Sequence, residues 1–290
     1  YGIDKFHRGF HFKFSKLKDD FCFGFDGKRF DTTMSSYFML LLYGFRAQCL
    51  RLDGPEFDRF WNLTRDTIHS IIVSRNGDLV VKTQGNPSGQ FNTAIDNTIY
   101  SLTILYACLL WIRKDKYRQK FQFQVYGDDM IVSSNEEFDP HIFVEKAQMF
   151  GVNLEIDCPM RKTINGISFC SHLLRIIRYK GEMIVVGHIP YTKILSALFW
   201  RKGLKEFKSR ILGLYIEAFP IIFFKLEGCE KLKEVFAYLN NTYVVLPPIS
   251  FLERLWFRNP FLEITAKEDM EVSKEIWESL YKLKRKDLIS

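Results

Sequence analysis

With 290 residues, 47% of them hydrophobic and 16% aromatic, the chain has ample apolar surface for a sizeable core, in more than one domain or in one large multi-lobed unit. A formal net charge of +7 and a pI of about 9.0 suit a polyanionic partner such as nucleic acid, and equally plain solubility. Six scattered cysteines (Cys22, Cys49, Cys108, Cys158, Cys170, Cys229), with no Cys-x-x-Cys pair and no histidine clustered beside them, exclude a disulfide framework and a zinc site. They read as reduced, buried thiols of an intracellular protein. No signal peptide is visible, and the longest strongly apolar stretch, Leu102 to Ile112, is too short to span a bilayer before Arg113-Lys114 ends it. The first residue is Tyr1, so the expectation is a piece of something longer, such as a polyprotein or an incomplete reading frame.

Residues 1–20 mix basic and aromatic side chains without clean periodicity. "FCFGFD" (21–26) reads as a buried strand ending in a carboxylate. Ser35 to Leu50 carries helix-like apolar spacing, and residues 56–70 read as a second helix. "IIVSRNGDLVVK" (71–82) predicts a hairpin turning at Asn76-Gly77. "GNPSGQ" (85–90) is a loop, and Asn92 to Ile112 a long helix. "FQFQVYGDDMIVSS" (121–134) alternates apolar and polar residues up to Tyr126, breaks at Gly127-Asp128-Asp129, then resumes its apolar run, as a half-buried hairpin does. A helix over 139–150, a strand over 152–156, and strands in "ISFCSHLLRII" (167–177) and "EMIVVGHI" (182–189) follow. From Pro190 the pattern is mainly helical, with basic faces, and ends in "KLKRKDLIS". There is no internal repeat and no low-complexity segment. An antiparallel sheet backed by helices and followed by a helical lobe is an α+β fold.

Two adjacent aspartates in a tight turn repel each other, and one takes up a proton unless a cation lies between them. Magnesium removes that cost, because it takes carboxylate oxygens and leaves positions for phosphate. Gly127 lets the backbone turn sharply. An exposed acidic turn is the plainer alternative. A second carboxylate site stands in "FDGKRFDTTMSS", with Asp26 at a strand end and Asp31 five residues on. If that strand pairs beside the hairpin, Asp26 faces Asp128. Asp26, Asp128 and Asp129 are then three carboxylates able to hold two metal ions about 4 Å apart, which activates a hydroxyl and stabilises a leaving pyrophosphate. The alternative is that Asp26 caps the following segment. In "GNPSGQFNTAIDN" (85–97), Pro87, Ser88 and Gly89 make a loop that a nucleic-acid backbone or nucleotide could approach closely. Thr93 and Asn97 share one helix face. Ser88, Thr93, Asn97 and Asp31 form a mixed donor and acceptor set of the kind a ribose 2′-hydroxyl requires. An N-capping loop with a polar face turned to solvent is the alternative.

These three elements, in this order, resemble the palm of the RNA-dependent RNA polymerases of positive-strand RNA viruses. Asp26-x4-Asp31 resembles motif A, Ser88-Gly89 with Thr93 and Asn97 motif B, and Tyr126-Gly127-Asp128-Asp129 motif C. "GNPSGQFNTAIDN" and "SFCSHLL" are most similar to astrovirus-like polymerases, with picornavirus-type enzymes as more distant kin. The resemblance covers roughly residues 20 to 200 in pattern and the tail only in architecture. It implies a right-hand fold: a residual fingers segment (1–20), palm (21–37), a fingers insertion (38–84), palm again (85–189) and a helical thumb (190–290).

The resemblance also implies roles. Asp26 and Asp128 are metal ligands, with Asp129 supporting; the cofactor is magnesium, two ions, with manganese able to substitute. Asp31 and Asn97 read the ribose 2′-hydroxyl with support from Thr93, and Ser88-Gly89 is the mobile loop that responds to the nucleotide. Lys162, in "CPMRKT" (158–163), falls where the family carries the lysine that protonates the leaving pyrophosphate; a solvated surface lysine is the alternative. "SFCSHLL" (168–174), with Phe169, Cys170 and Ser171, resembles motif E, which supports the primer end. Basic thumb residues would contact product-strand phosphates, making binding salt-dependent; a solvated face is the alternative. The implied partners are an RNA template and primer, ribonucleoside triphosphates and other viral replication proteins. The implied place is the host cytoplasm at membrane-associated replication complexes, with no intrinsic membrane span. Lys5, Arg8, Lys13, Lys16 and Lys18 lie too close to Asp26 to be the basic fingers element (motif F), so a chain lacking much of its fingers, and less than fully active as given, is the expectation. A reverse transcriptase is the nearest rival, but an aromatic blocking residue is expected where this chain has Asp31. A non-catalytic RNA-binding scaffold has no reason to keep three clustered carboxylates.

Overall fold

The computed structural model describes residues 5–17, 20–28, 30–87, 92–112, 120–199 and 204–257. They fall into two compact units, one within Asp19–Cys170 and the other within Tyr1–Lys18 together with Ser171–Ser290. In chain order the first helix is α1 (Gly9–Phe14). Strand β1 (Phe21–Gly27), the single turn α2 (Phe30–Thr33), and helices α3 (Ser36–Cys49) and α4 (Gly54–Ile68) follow. A hairpin of β2 (Ile71–Val73) and β3 (Leu79–Val81) precedes α5 (Thr93–Ile112). A second hairpin, β4 (Phe121–Tyr126) and β5 (Asp129–Ser134), leads to α6 (His141–Gln148), β6 (Leu154–Arg161) and the two-residue β7 (Ser168–Phe169). Beyond these lie β8 (His172–Tyr179), β9 (Glu182–His188), α7 (Tyr191–Phe199), α8 (Leu204–Phe223), α9 (Cys229–Thr242) and α10 (Ile249–Phe257). Antiparallel sheets packed with helices make the fold α+β.

The unit within Asp19–Cys170 is built on a four-stranded sheet of order β4-β5-β1-β6, antiparallel throughout. Its central strand β1 is buried from Cys22 to Phe25, which is why it reads as a continuous apolar run and not an alternating one. Phe23, Phe25, Met130 and Val132 pack with Tyr100, Ile104, Leu105 and Cys108 of α5 and with Phe143 and Ala147 of α6. Each fully buried phenylalanine here contributes roughly 1.5–3 kcal/mol of transfer free energy. Gly24 lets β6 come close, since a Cβ there would stand 3.3 Å from that of Cys158. Under this sheet Asp96 of α5 is fully buried, ion-paired to Arg46 of α3 and hydrogen-bonded by the Tyr43 hydroxyl at 3.4 Å.

By length and composition α5 could cross a membrane. It serves instead as a core helix, burying Tyr100, Leu105 and Cys108 beside Asp96, Asn97 and Ser101. All six cysteines are free thiols. Burial, with Asp20 nearby, pushes the Cys22 thiol up to about 12, and burial lifts Cys108 to about 11. Cys49 is exposed, contrary to the expectation that the cysteines are buried.

In the other unit the β8–β9 hairpin packs under helices α7 to α10, around Ile184, Val186, Ile211, Phe219, Leu232 and Trp256. Residues 5–17 belong here. The backbone N–H of Arg8 donates to Trp256 O at 2.8 Å, and Phe6 meets the Trp256 ring edge-on at 5.6 Å. Phe10 sits where any side chain on Gly187 would collide, its ring 2.5 Å from that would-be Cβ. Phe10, Phe14 and Leu17 are all buried, at the i, i+4, i+7 spacing of a helix face. That periodicity contradicts the reading of residues 1–20 as patternless.

Two further elements depart from expectation. β6 continues to Arg161, through Pro159, past the predicted end at residue 156. An edge strand tolerates a proline because no neighbour needs its missing N–H. The single strand expected over 167–177 is broken after Phe169, because Cys170 and Ser171 both adopt positive φ, 49° and 63°.

Candidate active site

The β4–β5 hairpin closes on the pair Tyr126↔Asp129, leaving Gly127 and Asp128 as a two-residue turn. Gly127 has φ 65°, at the first turn position, as a type II′ turn requires. No atom lies within 4 Å of a would-be Cβ there, so glycine is needed for its conformation and not for space. Gly127 is buried, Asp128 exposed and Asp129 half-buried. Helix α5 holds the turn: the Gly127 N–H donates to Thr98 Oγ1 at 2.8 Å, and Ser101 Oγ donates to Gly127 O at 2.6 Å.

β1 pairs with β5 so that Phe25 faces Met130, which brings Asp26 to the same end of the sheet as the turn. The Asp26 carboxyl lies above the usual carboxylate range. Partial desolvation is the main cause, followed by the charges of Asp128, Asp157 and Glu155, while the Gly27 N–H bond opposes the rise. Asp129 is raised as well, by burial first and then by Asp128 and Asp26; a hydrogen bond from the Cys170 backbone N–H pulls the other way. The Asp128 charge thus bears on both Asp26 and Asp129, and the Asp26 charge on Asp129.

Two further carboxylates were not predicted. Glu155 is the cross-strand partner of Asp26 and is ion-paired to Lys28, and Asp157 follows two residues on. Period-2 alternation in "LEIDCPMR" is the signal that would have placed both on one strand face. Like charges opposed across a strand pair are destabilising, so this end of the sheet favours a cation.

Hard carboxylate oxygens suit magnesium in chemistry. Among the described residues, no group of three His, Cys, Asp or Glu side chains is placed to hold a metal ion. Asp26, Asp128 and Asp129 supply carboxylate oxygens of the type that magnesium takes, at one end of the sheet.

The loop ahead of α5 is tied down in two places. Thr93 Oγ1 donates to Pro87 O at 2.7 Å, and Asn86 Nδ2 donates to Asn97 Oδ1 at 2.9 Å, with both asparagines buried. The Gly85 N–H donates to Met34 O at 2.8 Å, linking the loop to the segment after α2. The Thr93 and Asn97 face is therefore not the solvent-facing surface that was the alternative. Asp31 lies on the α2 backbone, five residues past Asp26. Ser88 and Gly89 lie outside the described residues.

Lys162 is not brought to the aspartates. It is exposed just beyond β6, whose Arg161 pairs with Cys22, at the opposite end of β1 from Asp26. Four residues of extended strand separate these ends by about 13 Å. Phe169 is fully buried, Cys170 reaches Asp129 through its backbone, and Ser171 opens the other compact unit.

A family model described as "Viral RNA-dependent RNA polymerase" matches residues 1–239. The chain is similar to the "Genome polyprotein" of Brome streak virus (strain German), 25% identical over 225 residues, which covers 75% of this chain and 23% of that polyprotein. It is 24% identical over 225 residues to the "Genome polyprotein" of Sweet potato mild mottle virus (isolate Salazar), covering 75% of this chain and 6% of the relative. "Genome polyprotein 1" of Barley yellow mosaic virus (isolate Germany) is 27% identical over 251 residues, 82% of this chain and 10% of the relative. The chain spans less than a quarter of the length of these relatives.

Proposed function

The chain belongs to the viral RNA-dependent RNA polymerase family, and from that premise we propose that it carries the catalytic centre for template-directed RNA synthesis. The observation that carries the reading is the grouping of Asp26, Asp128 and Asp129 at one end of the sheet, where the Asp128 charge raises both of the other carboxyls. In this reading the β4-β5-β1-β6 sheet with α5 and α6 is the palm, residues 38–84 belong to the fingers, and α7 to α10 form the thumb. The substrates are an RNA primer–template and ribonucleoside triphosphates.

Asp26 and Asp128 would hold the magnesium ions, with Asp129 supporting. When bound, these ions lower the pKa of the attacking 3′-hydroxyl and neutralise charge on the departing pyrophosphate. The chain's own residues set the geometry. The type II′ turn presents Asp128 outward while the Cys170 N–H holds Asp129. Asn97, fixed by Asn86, and Asp31 read the ribose 2′-hydroxyl, and Thr93 anchors the loop that carries Ser88 and Gly89.

The Asn97 role is tested by competing ribo- against deoxynucleotides. Asn97→Ala should weaken the preference for ribonucleotides roughly five- to tenfold, the worth of one hydrogen bond in a buried site. An unchanged preference in a folded variant removes Asn97 from ribose recognition.

A further inference from the structure

A two-residue hairpin turn commonly leaves its peptide groups to water. In this chain Gly127 is buried, and both of its backbone polar groups are taken by hydroxyls of one helix. The roles of those hydroxyls are fixed. Thr98 Oγ1 donates its proton to Ala94 O at 2.6 Å, which leaves a lone pair for the Gly127 N–H. Ser101, only 1% exposed, spends its proton on Gly127 O. The N–H lies in the peptide plane before Gly127 and the carbonyl in the plane that leads into Asp128. Two hydroxyls, three residues apart on one helix face, thus set both planes. A few residues earlier, the same helix is bonded to the preceding loop through Thr93 and Asn97.

We propose that Thr98 and Ser101 are positioning residues, which hold the Gly127 peptide planes and so fix where Asp128 departs from the hairpin. α5 then links the loop before Ser88 mechanically to the acidic turn. The inference rests on the polymerase reading for its catalytic consequence, but the hydrogen-bonded clamp can be tested without it.

The test uses Thr98→Val and Ser101→Ala, with Thr98→Ser as the conservative variant. Thr103→Val is the control, because that hydroxyl bonds Ile99 O on its own helix at 2.8 Å. Amide hydrogen exchange at Gly127 should quicken about tenfold in Thr98→Val. In single-nucleotide incorporation, kcat should fall roughly a hundredfold in Thr98→Val and Ser101→Ala, while the nucleotide KM stays within about twofold. Thr98→Ser should recover both readouts, and Thr103→Val should match the parent chain. Ser101→Ala, which removes one oxygen and adds nothing, carries the test if Thr98→Val does not fold. Unchanged Gly127 exchange in Thr98→Val, or parental kcat in folded variants, overturns the proposal. If the parent chain extends no RNA, the exchange result alone decides the clamp.

Discussion

Asp128→Asn abolishes RNA extension and leaves the fold intact: this is the expected result with the largest effect. Asparagine keeps the shape of the side chain and removes its charge. Stabilisation of transition-state charge by a bound divalent ion is worth several kcal/mol, so the rate should fall by roughly a thousandfold or more. The same change should cost no stability. Asp128 is exposed, and its charge is one of the influences that raise both Asp26 and Asp129. Removing it relieves repulsion, and the Asp26 and Asp129 carboxyls should move back toward ordinary values. Extension rates paired with thermal unfolding and carboxyl NMR titrations read all of this. Near-normal extension by a folded Asp128→Asn chain would remove the turn from catalysis.

The second large effect is on stability and lies one layer deeper. Arg46→Met strands the fully buried Asp96 without its cation. Breaking one side of a buried ion pair typically costs about 3–5 kcal/mol, because an uncompensated charge stays inside. Burial already raises the Asp96 carboxyl despite the opposing pull of Arg46 and of the Tyr43 hydroxyl, and losing Arg46 raises it further. A carboxyl raised in the folded state binds its proton more tightly there than in the unfolded chain. Its contribution to stability is therefore largest at low pH and is lost as pH rises through the folded value. The Arg46→Met deficit should accordingly be smaller at acidic than at alkaline pH, and adding Asp96→Asn should recover much of it. Urea unfolding at several pH values measures this. Equal stability of the parent and Arg46→Met chains would show that the pair is not the anchor between α3 and α5.

Elements whose own chemistry announces them were legible in the sequence. The apolar run of β1, the Asn-Gly of the first hairpin, the alternation of β4 and the long apolar α5 appear where periodicity puts them. Asp26 and Asp128 could be read together because a strand-end carboxylate and an acidic turn need only one pairing step to meet. What escaped depends on contacts distant in sequence. Phe10, Phe14 and Leu17 share a helical spacing, but only the bare backbone of Gly187, 177 residues beyond Phe10, shows what that face is for. Lys162 was singled out only through the resemblance. Its end of the sheet is decided by the β1–β6 register, which a bulge between Cys22 and Gly24 shifts. Nothing in the sequence singles out Thr98 and Ser101 among the hydroxyls of α5. Their meaning comes from the Gly127 peptide, 26 residues from Ser101 along the chain.

The most direct test of the central claim is single-nucleotide extension of an RNA primer–template by this chain in magnesium, with ribo- and deoxynucleotides offered in parallel. The account predicts template-matched ribonucleotide addition that stops when the metal is chelated. Preferential deoxynucleotide addition, or extension indifferent to chelation, would contradict it.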